Sequence, residues 1–185
     1  MKEVSNILRI FEGTKNAIQK EDSVKLKDLS NQTIHTASIS QDPDNIAVAV
    51  IVYSLSKIIE RQYHKQPKGQ VFLNSIVSLI NNSIIALQKK DEVNFKQNLE
   101  LIRKTINKLS GKLKAYIQDV FRKASINKAS RIYEHGISME KTAKLLGITM
   151  FELAGYAGQT DISDVRESKT MDVKSRIKLA EEMFG

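Results

Sequence analysis

Phe95, Leu99, Ile102, Ile106, Leu109, Leu113, Tyr116 and Val120 follow one another at alternating steps of four and three residues. Only a helix gathers residues so spaced onto one side, since a strand returns to the same face every second residue. The seven-residue repeat is that of an a/d seam. It runs through Ser110-Gly111 without losing register, which predicts one long helix from Asp91 past Val120, although a glycine inside a helix costs about 1 kcal/mol. The alternative is a break at Gly111. Around the seam lie Lys96, Arg103, Lys104, Lys108, Lys112, Lys114, Arg122 and Lys123. One face is therefore apolar and much of the rest positive, suiting either a dimerising helix that also touches phosphate or a core helix with a solvated back.

The same period recurs along the chain. Val4, Ile7, Leu8, Phe11 and Ile18 mark a first amphipathic helix, and Val24, Leu26 and Leu29 open a weaker second one. Asp42-Pro43 is a helix entry, with aspartate as the cap and proline at a position whose missing N–H costs nothing. The β-branched run after it, NIAVAVIVYSL, reads as the central buried helix of a bundle, because Ile51, Leu55, Ile58 and Ile59 continue one helical face. Residues 64–70, HKQPKGQ, interrupt the chain. Beyond them Leu73, Ile76, Val77, Ile80, Ile84 and Leu87 form another stripe. The expected fold is all-α: a helical bundle with a long basic helix over residues 1–125, a helix-turn-helix over 126–160, and a polar linker with a C-terminal helix over 161–185. That last helix carries its apolar spacing at Met171, Val173, Ile177, Leu179, Ala180 and Phe184.

The helix-turn-helix rests on Ser138 to Gln159, SMEKTAKLLGITMFELAGYAGQ. Ser138 is placed to cap a first helix whose inward stripe is Met139, Thr142, Ala143 and Leu146. Gly147 permits a tight turn at positive φ. Thr149 and Glu152 then form a capping box, the threonine oxygen accepting from a backbone amide and the glutamate reaching back to the threonine N–H. In DNA readers of this shape the second helix enters the major groove and presents hydrogen-bonding side chains to base edges. The groove-facing set here is Thr149, Met150 and Phe151, followed by Ala154 and Gly155, of which only Thr149 can hydrogen-bond a base. Two uses stay open: reading DNA, or a helical hairpin that binds protein or simply folds.

Charge gives the second functional clue. The net charge is +8, and it is uneven: residues 61–125 hold 13 Lys+Arg against 4 Asp+Glu, while the flanking thirds are nearly balanced. Phosphate contacts supply most nonspecific nucleic-acid affinity, so a basic block beside a helix-turn-helix points to a polyanion. Lys104, Lys108, Lys112, Lys141 and Lys144 are the candidate phosphate contacts. The 185 residues suffice for one large or two small domains with a real core. There is no cysteine, which removes disulfides, thiol catalysis and Cys-based zinc sites and fits a reducing, cytoplasmic setting. The most apolar run, Ile46 to Leu55, is about half of the ~20 residues a membrane span needs, and the N-terminus lacks the pattern of a secretory signal.

Catalysis finds little support. Ser54, Ser125 and Ser138 each stand three residues before a lysine, a pattern that arises cheaply in a Ser- and Lys-rich chain and lacks the accompanying acyl-transfer motifs. His35, His64 and His135 are isolated, without the paired spacing of a metal site, and His35 is expected as a hydrogen-bonded core histidine. No glycine-rich phosphate loop is present. Neither a catalytic residue, nor a metal ligand, nor a cofactor is expected, and the chain reads as no enzyme.

The span Ala129 to Ile162 resembles the helix-turn-helix core of a small prokaryotic antitoxin-like family, often encoded beside PIN-domain ribonuclease toxins. The matching residues are Tyr133 and Gly136, Ile137-Ser138, Lys141 with Ala143, Leu146-Gly147, and Phe151-Glu152-Leu153. The resemblance covers about a fifth of the chain and implies DNA binding, autoregulation, or toxin neutralisation through a flexible tail. Members of that family are short, and the N-terminal bundle is additional. Ile46 to Arg61 is faintly similar to HEPN-type four-helix domains, whose ribonucleases carry an Arg-x4-6-His motif. Arg61 and Arg131 stand too close to the following histidines for that spacing, so the similarity implies an inactive, binding version. The expected function is that of a nucleic-acid-binding protein, a dimeric DNA-binding transcriptional regulator. The alternative is an antitoxin-like or adaptor module that binds a protein such as a toxin, and RNA is a third partner class, although no RNA-reading module is present.

Overall fold

A computed structural model describes residues 3–40, 42–66, 68–126 and 139–158. The described residues form eight α-helices and no strand: α1 (Val4–Gln19), α2 (Ser23–Ser40), α3 (Pro43–Glu60), α4 (Gly69–Gln88), α5 (Glu92–Ser110), α6 (Leu113–Ile126), α7 (Met139–Leu146) and α8 (Met150–Gly158). A short 3-10 turn, Tyr63–Lys65, precedes α4. The expected C-terminal helix, the linker before it, the Ser138 cap and the residues of the resemblance between 129 and 138 lie outside the described residues.

α3 is the centre. Every side chain from Asp44 to Ser56 is buried, and α1, α2, α5, α6 and α7 all pack against it. A helix covered on all sides has no polar face, which is why its β-branched run shows no amphipathic pattern. Its entry is as the sequence predicts: Asp42 accepts a hydrogen bond from the Asp44 N–H at 3.0 Å, and Pro43 occupies the first turn. Buried hydroxyls are satisfied locally, Ser54 donating to the Val50 carbonyl at 2.7 Å and Ser30 of α2 donating across to the Ala49 carbonyl at 2.9 Å. The Ser30 bond requires α2 and α3 to approach closely.

Two of the helix turns share a sequence. Ala17-Ile-Gln-Lys-Glu-Asp-Ser-Val24 between α1 and α2 matches Ala86-Leu-Gln-Lys-Lys-Asp-Glu-Val93 between α4 and α5. Both turn in the same way. Glu21 and Lys90 adopt positive φ, 52° and 58°, and the next amide, of Asp22 or Asp91, reaches back to the carbonyl of Ala17 or Ala86 at 2.9 and 2.8 Å. The aspartate then caps the following helix, accepting from Lys25 N–H at 2.8 Å or Asn94 N–H at 3.0 Å. One residue thus closes one helix and starts the next.

The long helix expected through Gly111 is instead two. Gly111 sits at φ +59°, its N–H bonded to the Asn107 carbonyl at 3.0 Å, and α5 stops there. The seam keeps its spacing because both halves face the same core: Phe95, Leu99, Ile102 and Ile106 on α5, and Tyr116 and Val120 on α6, are buried. It is used inside the chain, as a core stripe. A second difference concerns α4. With 20 residues and no charge, it has the length and hydropathy of a membrane span, whereas none was expected; Ser and Asn keep it uncharged without making it wholly apolar, and one side packs on α1 and α5.

Ala143, Leu146, Leu153 and Tyr156 of the C-terminal pair join the core cluster built by α1 to α6. Leu55→Ala, at a fully buried position of α3, is expected to cost about 2–5 kcal/mol. Amide hydrogen exchange should then show α7 and α8 opening in the same transition as the bundle; retained protection in α7 and α8 would mean they are stabilised apart from it.

Candidate macromolecular interface

The turn between α7 and α8 follows from a few residues. Gly147 adopts φ +64°. Its N–H bonds the Lys144 carbonyl at 3.1 Å and the Ile148 N–H bonds the Ala143 carbonyl at 3.0 Å, which closes α7 with a Schellman turn. The glycine has a second reason. The Arg103 guanidinium of α5 lies over it, so a Cβ at this position would overlap that group. The turn therefore docks onto the bundle against Arg103, and a Cβ here would require the guanidinium to move aside. No local signal in the sequence joins Gly147 to Arg103.

The capping box forms as the spacing predicts. Glu152 N–H donates to Thr149 Oγ1 at 3.1 Å, and Thr149 N–H donates to Glu152 Oε2 at 3.1 Å. Thr149 Oγ1 is also 3.2 Å from Glu152 Oε2, to which it donates its proton. The hydroxyl is thus engaged as both acceptor and donor. Glu152 also pairs with Lys114 at the start of α6, at 2.5 Å. The Lys114 ammonium, with the Thr149 amide, holds the Glu152 carboxyl down to about 2, so it stays ionised well into acid. Leu153 and Tyr156 on the same side of α8 are buried against α6.

Among the described residues, those on the opposite side of α8 are exposed. Phe151 is 89% exposed and Met150 54%, Ala154 and Gly155 are also exposed, and nothing approaches the position of a Cβ on Gly155. The predicted groove-facing set therefore does face outward, but as an apolar knob. Its one base-reading candidate, Thr149, has its hydroxyl committed to the cap.

The five predicted phosphate contacts are all exposed, yet they divide. Lys104 pairs with Glu100 at 2.7 Å. Lys141 and Lys144 border an open cleft of about 580 Å³ between the start of α3, α5 and α7, which also presents Asp42, Asp44, Glu92 and Glu100. The cleft is of mixed sign. Lys108 and Lys112 lie at the end of α5 and in the turn after it, with Lys114 opening α6 beside the first turn of α8.

Asp44 is the least comfortable group of the cleft. It is 4% exposed, its Oδ1 has no hydrogen-bond partner, and burial pushes its carboxyl up to about 6, helped by Asp42 and opposed by Lys96. A helix N-terminus favours a nearby negative charge, but desolvation outweighs it here. His35, expected in the core, is exposed on α2, although Ile34 and Ala37 of the same turn are buried. The side chains of His64 and His135, of Ser125 and Ser138, and of Met139 lie outside what is described. No group of three metal-ligating side chains occurs among the described residues. Comparison of the chain with family models, curated proteins and solved structures gives no match.

Gly147→Ala is expected to destabilise the chain by about 1–2 kcal/mol through its positive φ and further through displacement of Arg103. Gly111→Ala, at the same φ but in open space, carries the backbone term alone. Equal losses in urea unfolding would remove Arg103 from the docking of the turn. Asp44 has a folded value raised from 3.8 to about 6, so its penalty is present at neutral pH and disappears as pH falls through that window. Asp44→Asn should add about 1–2 kcal/mol at pH 7.5 and nothing below pH 4; an advantage independent of pH would contradict this origin.

Proposed function

We propose that this chain is a non-enzymatic binding module whose C-terminal helix pair docks a protein partner through the exposed face of α8. The observation that carries this is Phe151, 89% exposed beside Met150 on a helix whose only base-reading hydroxyl is occupied by its own cap. A protruding phenylalanine on a rigid, capped helix is a ready anchor for an apolar pocket, and burying it yields about 1.5–3 kcal/mol. Lys112, exposed in the turn that leads into α6, suits an acidic rim around that pocket. This is the antitoxin-like or adaptor function of the sequence analysis, with α8 as its contact element.

Duplex nucleic acid is the second partner class, favoured by the exposure of Lys108 and Lys112 at the end of α5 and in the turn after it. Such binding would rest on phosphate contacts and on Met150 and Phe151 against thymine methyl groups, giving strong salt dependence and little sequence preference.

The two separate experimentally. Phe151→Ala should weaken protein binding about tenfold to a hundredfold while leaving thermal stability unchanged, because the side chain touches little of its own fold. Lys108→Ala with Lys112→Ala should change it by less than tenfold. In fluorescence anisotropy with a labelled duplex and its scrambled counterpart over a salt series, the lysine pair would dominate if nucleic acid is the partner. Salt-sensitive duplex binding that survives Phe151→Ala would overturn the protein-docking function.

A further inference from the structure

α4 carries a surface that neither the core nor α8 explains. In a chain of which 27% is charged, residues 69–88 contain no charged side chain, yet only part of the helix is buried. Its outward residues Val71, Ser75, Ser78, Asn82 and Ile85 are all exposed, Val71 by 72% and Ile85 by 47%. A solvated helix face is ordinarily dressed with Lys and Glu. These five instead follow one another at steps of four, three, four and three, which places them in one uncharged row along the helix.

We infer that this face is a homodimer interface, in which α4 packs antiparallel against α4 of a second copy about a two-fold axis passing near Ser78. The row is symmetric about that residue, with Val71 seven positions before it and Ile85 seven after. A two-fold there brings Val71 of one protomer to Ile85 of its partner, and Ser75 toward Asn82. Beside Ile85 an open groove of about 330 Å³ runs between α4 and α5, lined by Asn82, Ile85, Ala86, Asn94 and Asn98 and bordered by the charged Lys89 and Asp91; the arriving valine rests on Ile85 and Ala86, clear of the two charges.

Three arguments select a second copy as the occupant. Two molecules of net charge +8 repel, and they approach at least cost through a face without charge. Hydroxyl and amide groups both donate and accept, so Ser and Asn satisfy their own kind across a two-fold, as an isologous contact demands. The small serines at the centre let the helices come close. The area is adequate but modest. A 20-residue helix is about 30 Å long, which places such a face near the lower end of the size of specific interfaces; with only two apolar side chains in the row, a weak, micromolar dimer is expected. Lys68 and Lys89 lie just past the two ends of the row, where an antiparallel pair sets them near one another, so added salt should tighten association.

The full-length chain has no cysteine, which makes the test clean. Ser78→Cys should form a disulfide-linked dimer on mild oxidation, while Lys27→Cys on the exposed surface of α2 should not. Ser78→Lys, placing like charges across the axis, should raise the dimer dissociation constant at least tenfold in sedimentation equilibrium, with unchanged helical circular dichroism. Wild-type dimerisation in the micromolar range, firmer at 0.5 M than at 0.1 M salt, is the expected result. A monomer at 100 μM, or a dimer indifferent to Ser78→Lys, would overturn the inference. So would flotation of the wild type with phosphatidylcholine vesicles without dimerisation, which would assign the uncharged face to lipid.

Discussion

The burial of α3 on every side is the constraint from which the rest follows. A helix with no solvent face needs neighbours all round, and α1, α2, α5, α6 and α7 each contribute one apolar stripe to that purpose. Once α5 and α6 must both lie against α3, a single straight helix from Asp91 onward will not serve. Gly111 supplies the bend. The heptad spacing that survives it records a shared target, since residues facing one core from two successive helices keep the same period.

The docked position of the helix-turn-helix depends on the same arrangement. α7 rests on α3 and α5, and the turn at Gly147 fits beneath Arg103, whose half-buried side chain is held at the surface of α5. α8 is then pinned to α6 by Leu153 and Tyr156 and by the pair of Lys114 with Glu152. Its remaining face is left to the solvent. Met150 and Phe151 are on that exposed face, while the Thr149 hydroxyl is satisfied within the cap.

How far the site was legible in the sequence varies residue by residue. The capping box of Thr149 and Glu152, the positive φ of Gly147 and the outward placement of Met150 and Phe151 were all readable, since each depends on contacts within a few residues. The lysines were readable as exposed but not as a group. Lys104 meets Glu100 one turn away, whereas Lys141 and Lys144 share a cleft with carboxylates some forty to a hundred residues earlier, and only packing brings those signs together. His35 was misplaced because its neighbours in sequence are partly apolar while its helix turns that side outward.

Sequence alone determined the helical class, the buried character of α3, and the starts and stops of several helices, because periodicity and caps act over four residues or fewer. Tertiary structure decided the rest. It broke the apparent long helix at Gly111, spent the heptad seam on the protein's own core, set Arg103 over Gly147, and left α8 and α4 with uncovered faces. These outcomes depend on which surfaces meet across the bundle, and a linear pattern of spacings is silent on what lies opposite.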